Sequence, residues 1–236
     1  MKIFALYPLA LKDFLRFEFF KYALFSSLTS LASMLVLAFF AFSALQSYLT
    51  FSLIKAHFLF SWLYSFSWPL INTSILLLLS LFVIFGSVFI SLLILSFFVP
   101  KIAQAINAKY YHFPHQSRVS DALVWWQRLK LFVKFSLLFI LATPLLLAPL
   151  VNVCVYFLLF YYLFHRMFAL DILSATLDAQ TFQNLKFTPL EFKLHTLIFY
   201  LLSGFLVLGF IFQLLFIIIL IHLSYQKILR LPLRAH

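Results

Sequence analysis

Charged residues are scarce in this chain of 236 residues, and acidic residues are the scarcest of them. Asp and Glu together number 6, Lys and Arg 17, and charged residues make up 10% of the sequence, whereas a soluble domain has about 25%. A soluble enzyme of this size needs far more polar surface, so that class is excluded. The 3 glycines, 8 prolines and single cysteine exclude collagen, low-complexity disorder and a disulfide scaffold.

Apolar residues take the place of the missing charges and make up 65% of the chain, with 34 phenylalanines among them. They concentrate in four uncharged runs, each longer than the ~20 residues that a helix needs to cross a bilayer. We therefore predict an integral membrane protein. The first run is far longer than the apolar part of a secretion signal, so we expect it to stay in the protein. The runs are 22–54, 56–100, 135–165 and 194–226.

The positions of the bases indicate which segments face the cytoplasm. Residues 1–21 hold four bases and two acids, residues 101–134 hold six bases and one acid, and residues 227–236 hold three bases and no acid. An excess of bases is typical of cytoplasmic segments, so both termini are predicted on that side. The net charge of +11 then indicates contacts with membrane lipids and not with nucleic acid.

The predicted fold is all-α and forms a single membrane domain, 1–236. The runs 135–165 and 194–226 are compatible with two arrangements, a re-entrant helical hairpin or a single kinked span. Pro144 and Pro149 remove two amide donors within six residues and favour the hairpin in the first of these runs. The other predicted segments are an amphipathic interfacial helix at 1–20, transmembrane helices at 22–50 and 73–99, and a cytoplasmic helical segment at 100–134.

Local patterns predict how three helices lie or begin. In residues 3–17, apolar side chains recur at helical spacing with Lys12, Asp13 and Arg16 between them, which predicts a helix lying on the membrane surface. A second helix is expected to begin near 120, with a serine or an aspartate as its cap. A third helix start is indicated by a capping box with a proline at the first helical position. Its residues are Thr188, Pro189 and Glu191.

The sequence holds no catalytic motif, so we expect neither an enzyme nor a cofactor. His112-Phe-Pro-His115 has a spacing that two metal ligands can use, but the proline breaks a helix there and no acid or cysteine completes the set. We expect no metal site. The predicted spans contain no acid, so the bases at their ends are the only strong charges near the membrane, and bases suit an anion.

Several segments, taken in order, resemble one known family. The segment Pro-Leu-Val-Asn152 follows a proline break and leads through an aromatic helix to Arg166 and then Asp171, for which pairing with Arg166 is one expectation. Phe-Val-Pro100 followed by Lys101-Ile-Ala ends the second span. Together these stretches resemble the EI24 family, which includes CysZ-like sulfate permeases, and the resemblance gives structural roles to Pro100, Pro144, Pro149, Asn152 and Asp171.

The resemblance implies two long transmembrane helices, two hairpins that penetrate the bilayer part way, a homo-oligomer and a bacterial inner membrane. It also implies sulfate uptake for cysteine biosynthesis. Permeases of this type carry a Gly-Leu-Arg element before the first long helix, where this chain reads Phe14-Leu15-Arg16. Our anion-binding candidates are Arg16, Lys21 and Arg166. We expect transport of a small inorganic anion, sulfate first, and the alternative is a non-transporting membrane scaffold or envelope-assembly protein of the same family.

Overall fold

The computed structural model describes residues 6–114, 119–147, 149–184, 188–203 and 206–232. Within these ranges all regular secondary structure is helical, which confirms the predicted all-α class. The chain divides into two compact units, Met1–Tyr22 with Leu95–His236, and Ala23–Ile94. The helices are α1 (Leu6–Phe14), α2 (Phe17–Ser96), α3 (Val99–Ile106), α4 (Asp121–Ala142), α5 (Pro149–Thr176), α6 (Ala179–Asn184), α7 (Leu190–Ser203) and α8 (Leu206–Leu223).

The helical backbone of α2 is continuous, yet its two ends lie side by side. The hydroxyl of Ser91 donates to that of Ser26 at 3.3 Å, and Gln46 Nε2 donates to Asn72 Oδ1 at 3.2 Å. A straight helix would separate the two serines by roughly 100 Å at 1.5 Å per residue. The chain therefore reverses direction between Gln46 and Asn72, and α2 consists of two antiparallel arms.

Within the described residues, three stretches are long and apolar enough to cross a membrane: Glu18–Tyr48, Asn72–Ser96 and Cys154–Thr176. The first two coincide with the predicted transmembrane helices at 22–50 and 73–99. The third lies in α5, which belongs to a run for which a hairpin was favoured. Length and composition thus allow α5 to span, and partial penetration by the last two runs stays a prediction.

Helices α4 and α5 form an antiparallel hairpin, with Pro144 in the turn and Pro149 at the start of α5. The rings of Phe135 and Phe160 lie 5.7 Å apart, and those of Phe139 and Tyr156 lie 6.0 Å apart. Between the helices the chain takes a 3₁₀ turn, Thr143–Leu147. Pro144 has no amide hydrogen to continue the α-helical ladder, and Pro149 begins the next helix, where its missing donor costs nothing. The α-helix is therefore interrupted between Pro144 and Pro149.

Helices α7 and α8 form a second antiparallel pair. Phe199 stacks on Phe216 with ring centroids 5.0 Å apart, and Lys227, beyond the end of α8, donates to Glu191 in the first turn of α7 at 2.8 Å. The second half of α8 is buried inside its unit, with Ile218 and Leu220 fully enclosed. This apolar helix supplies the core against which α1 and α5 pack.

The predicted surface helix at 1–20 differs from the observed structure in two ways. Helix α1 ends at Phe14, and α2 begins at Phe17 after a bend. Asp13, expected among the polar residues of a surface helix, is 0% exposed, whereas Leu11 is 48% exposed. The reason is that Lys109, a partly exposed lysine from another segment, lies 2.6 Å from Asp13 Oδ1 and pairs with the inward-facing carboxylate.

Candidate anion-binding site

The α4–α5 hairpin brings two helix faces together around one cavity. Gln127, Lys130 and Lys134 follow each other at three- and four-residue intervals on α4, and Tyr162 and Arg166 are four residues apart on α5. Such intervals place side chains on one face of a helix. The cavity between them has a volume of ≈ 320 Å³, within the range of small-molecule sites.

The lining of this cavity, which we call the basic pocket, combines bases with neutral polar groups. Among the described residues that line it, none is an acid. Helix α6 and the residue two before α7 close the remaining sides. The polar lining residues are Gln127, Lys130, Lys134, Tyr162, Arg166, Gln183 and Thr188, and the apolar ones are Leu131, Ala169, Leu170, Leu173 and Phe182.

Two of the three bases converge on one aromatic ring. Lys134 Nζ lies 5.7 Å from the centroid of Tyr162, and Arg166 Cζ lies 5.9 Å from it. Among the ion pairs of the described residues, none involves Lys130, Lys134 or Arg166. Three like charges without an acid repel one another, and an anion in the cavity relieves that repulsion.

Asp171, the acid closest in sequence to a pocket-lining residue, is already paired with a base. Asp171 follows the lining residue Leu170, and its Oδ1 accepts from Arg128 Nη2 at 2.5 Å. The expectation that Asp171 pairs with Arg166 is therefore wrong. Five residues along a helix turn the side chain by about 140°, so Arg166 and Asp171 point to different sides of α5. The antiparallel hairpin instead places Arg128 of α4 opposite Asp171.

A hydrogen-bonded imidazole lies behind the lining residue Thr188. The Nε2 atom of His165 is 3.2 Å from the hydroxyl of Thr188, and its Nδ1 atom is 2.7 Å from the hydroxyl of Thr196. Thr196 in turn donates to the carbonyl of Lys193 at 2.9 Å. Helix α7 begins at Leu190, next to Pro189, where the sequence predicted a helix start. Thr188 hydrogen-bonds to His165 of α5, and Glu191 pairs with Lys227.

A second polar centre, which we call the Asp13 cluster, ties α1 to the end of α3 and to α8. Asp13 Oδ1 accepts from Lys109 Nζ at 2.6 Å and from the hydroxyl of Tyr110 at 2.9 Å. Burial by itself raises the pKa of Asp13, but the adjacent His222 imidazole and the hydrogen bonds from Lys109 and Tyr110 outweigh burial and hold that pKa below its ordinary value.

The remaining members of the Asp13 cluster are Tyr111 and His222. The hydroxyl of Tyr111 lies 2.8 Å from Nδ1 of His222 and accepts from Gln226 at 3.2 Å. His222 Nε2 lies 3.8 Å from Asp13 Oδ2, beyond hydrogen-bonding distance. Burial lowers the pKa of Lys109, but its hydrogen bonds to Asp13 and Tyr110 raise it above the ordinary value. The cluster is charge-compensated, and two of its buried atoms, Asp13 Oδ2 and His222 Nε2, make no hydrogen bond within the described residues.

The three anion-binding candidates from the sequence do not share one cavity. Arg166 lines the basic pocket, whereas Arg16 and Lys21 do not. Arg16 is half-exposed, and its Nε lies 3.8 Å from Asp13 Oδ1. Lys21 lies 5.3 Å from the ring of Tyr22. Roles for Arg16 and Lys21 in anion binding stay predictions.

Three further predictions concern Pro100, Asn152 and the pair His112 and His115. Pro100 lies in the first turn of α3, where its missing amide donor is tolerated. The side chain of Asn152 and the whole of His115 lie outside the described residues. In the part of the chain that the structure does describe, no three His, Cys, Asp or Glu residues come together as metal ligands.

Lys130 and Lys134 are pocket bases that the sequence did not single out as anion ligands. Their four-residue spacing on one face of α4 was available, and so was the proline-centred turn. Pairing the two helices about that turn places Lys134 across from Tyr162, within one turn of Arg166. The predicted hairpin therefore implied that Lys134 of α4 lies close to Tyr162 of α5.

Comparison with known proteins gives one match. The model of the EI24 family, described as "Sulfate transporter CysZ/Etoposide-induced protein 2.4", matches residues 7–218. No curated protein and no solved structure matches the chain.

Proposed function

We propose that this chain, which belongs to the EI24 family, carries a small inorganic oxyanion across a membrane and binds it in the basic pocket. Sulfate is the first candidate because the family description names a sulfate transporter. We further propose that the chain takes up sulfate for cysteine biosynthesis. In this proposal it lies in a bacterial inner membrane with both termini cytoplasmic, and it forms a homo-oligomer.

The observation that carries this function is the charge of the basic pocket. Lys130, Lys134 and Arg166 line one cavity, and none of the described residues of its lining is a carboxylate. Arg166 offers a planar set of donors that matches an oxyanion, and the lysines add point charges. Gln127 and Gln183 supply neutral amide donors on the same lining.

Radiolabelled sulfate uptake into liposomes containing the purified protein tests the proposal. We expect uptake above that of empty liposomes, and a loss of uptake when Lys134 or Arg166 is replaced by Gln. The matched control is Lys101→Gln, which removes an exposed base at the start of α3 and should leave uptake unchanged. Folded protein that admits no more sulfate and phosphate than empty liposomes contradicts the proposal and favours the scaffold alternative.

A further inference from the structure

The basic pocket is polar at one level of α5 and apolar at another. Along the pocket face of this helix, Tyr162 and Arg166 come first. Ala169, Leu170 and Leu173 then follow at intervals that keep them on the same face. The step from Arg166 to Leu173 corresponds to about 10 Å along the helix axis. The polar and apolar lining residues of α5 therefore lie at different levels of the cavity.

Positive charge is concentrated beside Tyr162, and we call this part of the pocket the charged end. The Cζ atom of Arg166 lies 5.9 Å from the ring of Tyr162, so the guanidinium points back along α5, away from the leucines. Lys134 Nζ lies 5.7 Å from the same ring. Lys130 is one turn away on α4, with its Nζ 5.3 Å from the ring of Trp126. The head group of an anion is therefore best held between Lys134 and Arg166.

The apolar end of the pocket, which we define as Ala169, Leu170, Leu173 and Phe182, belongs to α5 and α6. Ala169 and Leu173 are buried, and Leu170 and Phe182 are half-buried. Their side chains offer no hydrogen-bonding group. The whole cavity, ≈ 320 Å³, has about ten times the volume that one water molecule takes in the liquid, which is more than a sulfate ion fills. A sulfate ion at the charged end therefore makes no use of the apolar end.

We infer that the pocket also binds organic sulfonates, with the sulfonate group at the charged end and the carbon chain against the apolar end. This inference rests on the proposed function and extends its substrate class. A sulfonate keeps three of the oxygens of sulfate around its sulfur atom, so Lys134 and Arg166 can bind it in the same way. Carbon replaces the fourth oxygen, and a chain attached there removes apolar surface from water against Leu170 and Leu173. Sulfate remains a ligand, with a second negative charge in place of the chain.

Displacement of radiolabelled sulfate from the purified protein by straight-chain alkanesulfonates tests the inference. The series runs from methanesulfonate to hexanesulfonate, and its members carry the same single charge and differ only in chain length. We expect each added methylene to strengthen displacement about threefold, because a buried methylene contributes roughly that factor. Equal potency along the series would overturn the inference and leave the proposed function standing. A protein that binds no sulfate at all would overturn both.

Variants at the two ends of the pocket distinguish binding there from general association with an apolar surface. Leu170→Asn and Phe182→Gln each place a polar group at the apolar end and should flatten the dependence on chain length. The matched control is Leu158→Asn, which changes a leucine of α5 that is 61% exposed and does not line the pocket, and it should keep the threefold steps. Lys134→Gln should weaken every sulfonate by a similar factor and keep the steps, because the head group is common to all. Steps that persist in both Leu170→Asn and Phe182→Gln would overturn the inference, since the chain would then bind elsewhere.

Discussion

Around Asp13 a negative charge meets a lysine and a tyrosine hydroxyl inside the protein. Around Tyr162, by contrast, three positive charges line a cavity, and none of its described lining residues is an acid. Both regions belong to the same compact unit, Met1–Tyr22 with Leu95–His236. The Asp13 cluster uses its charges to join α1 to the rest of the unit. Among the described residues, no acid forms an ion pair with the bases of the basic pocket. Stability should therefore depend on the first region, and anion affinity on the second.

The largest expected effect is on stability in the Asp13 cluster. Asp13→Ala removes the carboxylate that accepts hydrogen bonds from Lys109 and Tyr110. Breaking a buried pair from one side costs about 3 kcal/mol, and we expect the lower end of the usual range because Lys109 is 30% exposed. Thermal unfolding in detergent should show a lower midpoint. The control Glu18→Gln changes an exposed acid in the first turn of α2 and should leave the midpoint unchanged. An unchanged unfolding midpoint in Asp13→Ala would contradict a structural role for the Asp13 cluster.

The Arg128–Asp171 pair should affect both stability and anion affinity. Its side chains are 18% and 10% exposed, so Arg128→Met leaves a largely buried carboxylate uncompensated, at a cost of about 2 kcal/mol. The uncompensated carboxylate of Asp171 is next in sequence to Leu170, which lines the pocket, and its negative charge should weaken anion binding. In the double variant Arg128→Met/Asp171→Leu, both properties should recover. A double variant no better than the single one speaks against the pairing as the cause.

Neutralising one pocket base should change affinity alone. Lys134→Gln removes one of three attractive charges, and we expect anion affinity to fall about tenfold, equivalent to about 1.4 kcal/mol. Stability should stay within about 0.5 kcal/mol of the wild type, as is usual for an exposed residue. Isothermal titration and thermal unfolding of the same sample measure the two quantities. A large loss of stability would show that the pocket is a structural joint like the Asp13 cluster.

The smallest effect concerns acid unfolding. The pKa of Asp13 lies below its ordinary value, so the unfolded chain takes up the proton first as the pH falls. The cluster's contribution to stability is present above about pH 4 and is lost as the pH drops through the folded-state pKa of Asp13. Asp13→Asn should therefore flatten the acid limb of a stability–pH curve. An identical limb in both proteins would contradict the assignment.

The sequence predicted the segments but not how their side chains meet. Pro144 and Pro149 located the hairpin because the lack of an amide donor acts locally. Asp13 and Asp171 were assigned wrong surroundings because their partners, Lys109 and Arg128, come from distant segments. Helical spacing shows which residues share a face, but it does not show which other helix that face contacts. Lys130 and Lys134 were overlooked as site residues for the same reason.

Equilibrium binding of radiolabelled sulfate and phosphate to the purified triple variant Lys130→Gln/Lys134→Gln/Arg166→Gln tests the central claim most directly. The comparison variant is Arg16→Gln/Lys21→Gln, which neutralises the two candidate bases outside the basic pocket. The account predicts that the triple variant unfolds at the wild-type temperature and binds neither anion, while the Arg16→Gln/Lys21→Gln variant still binds. Retained binding in the triple variant, with loss of binding in Arg16→Gln/Lys21→Gln, would contradict it.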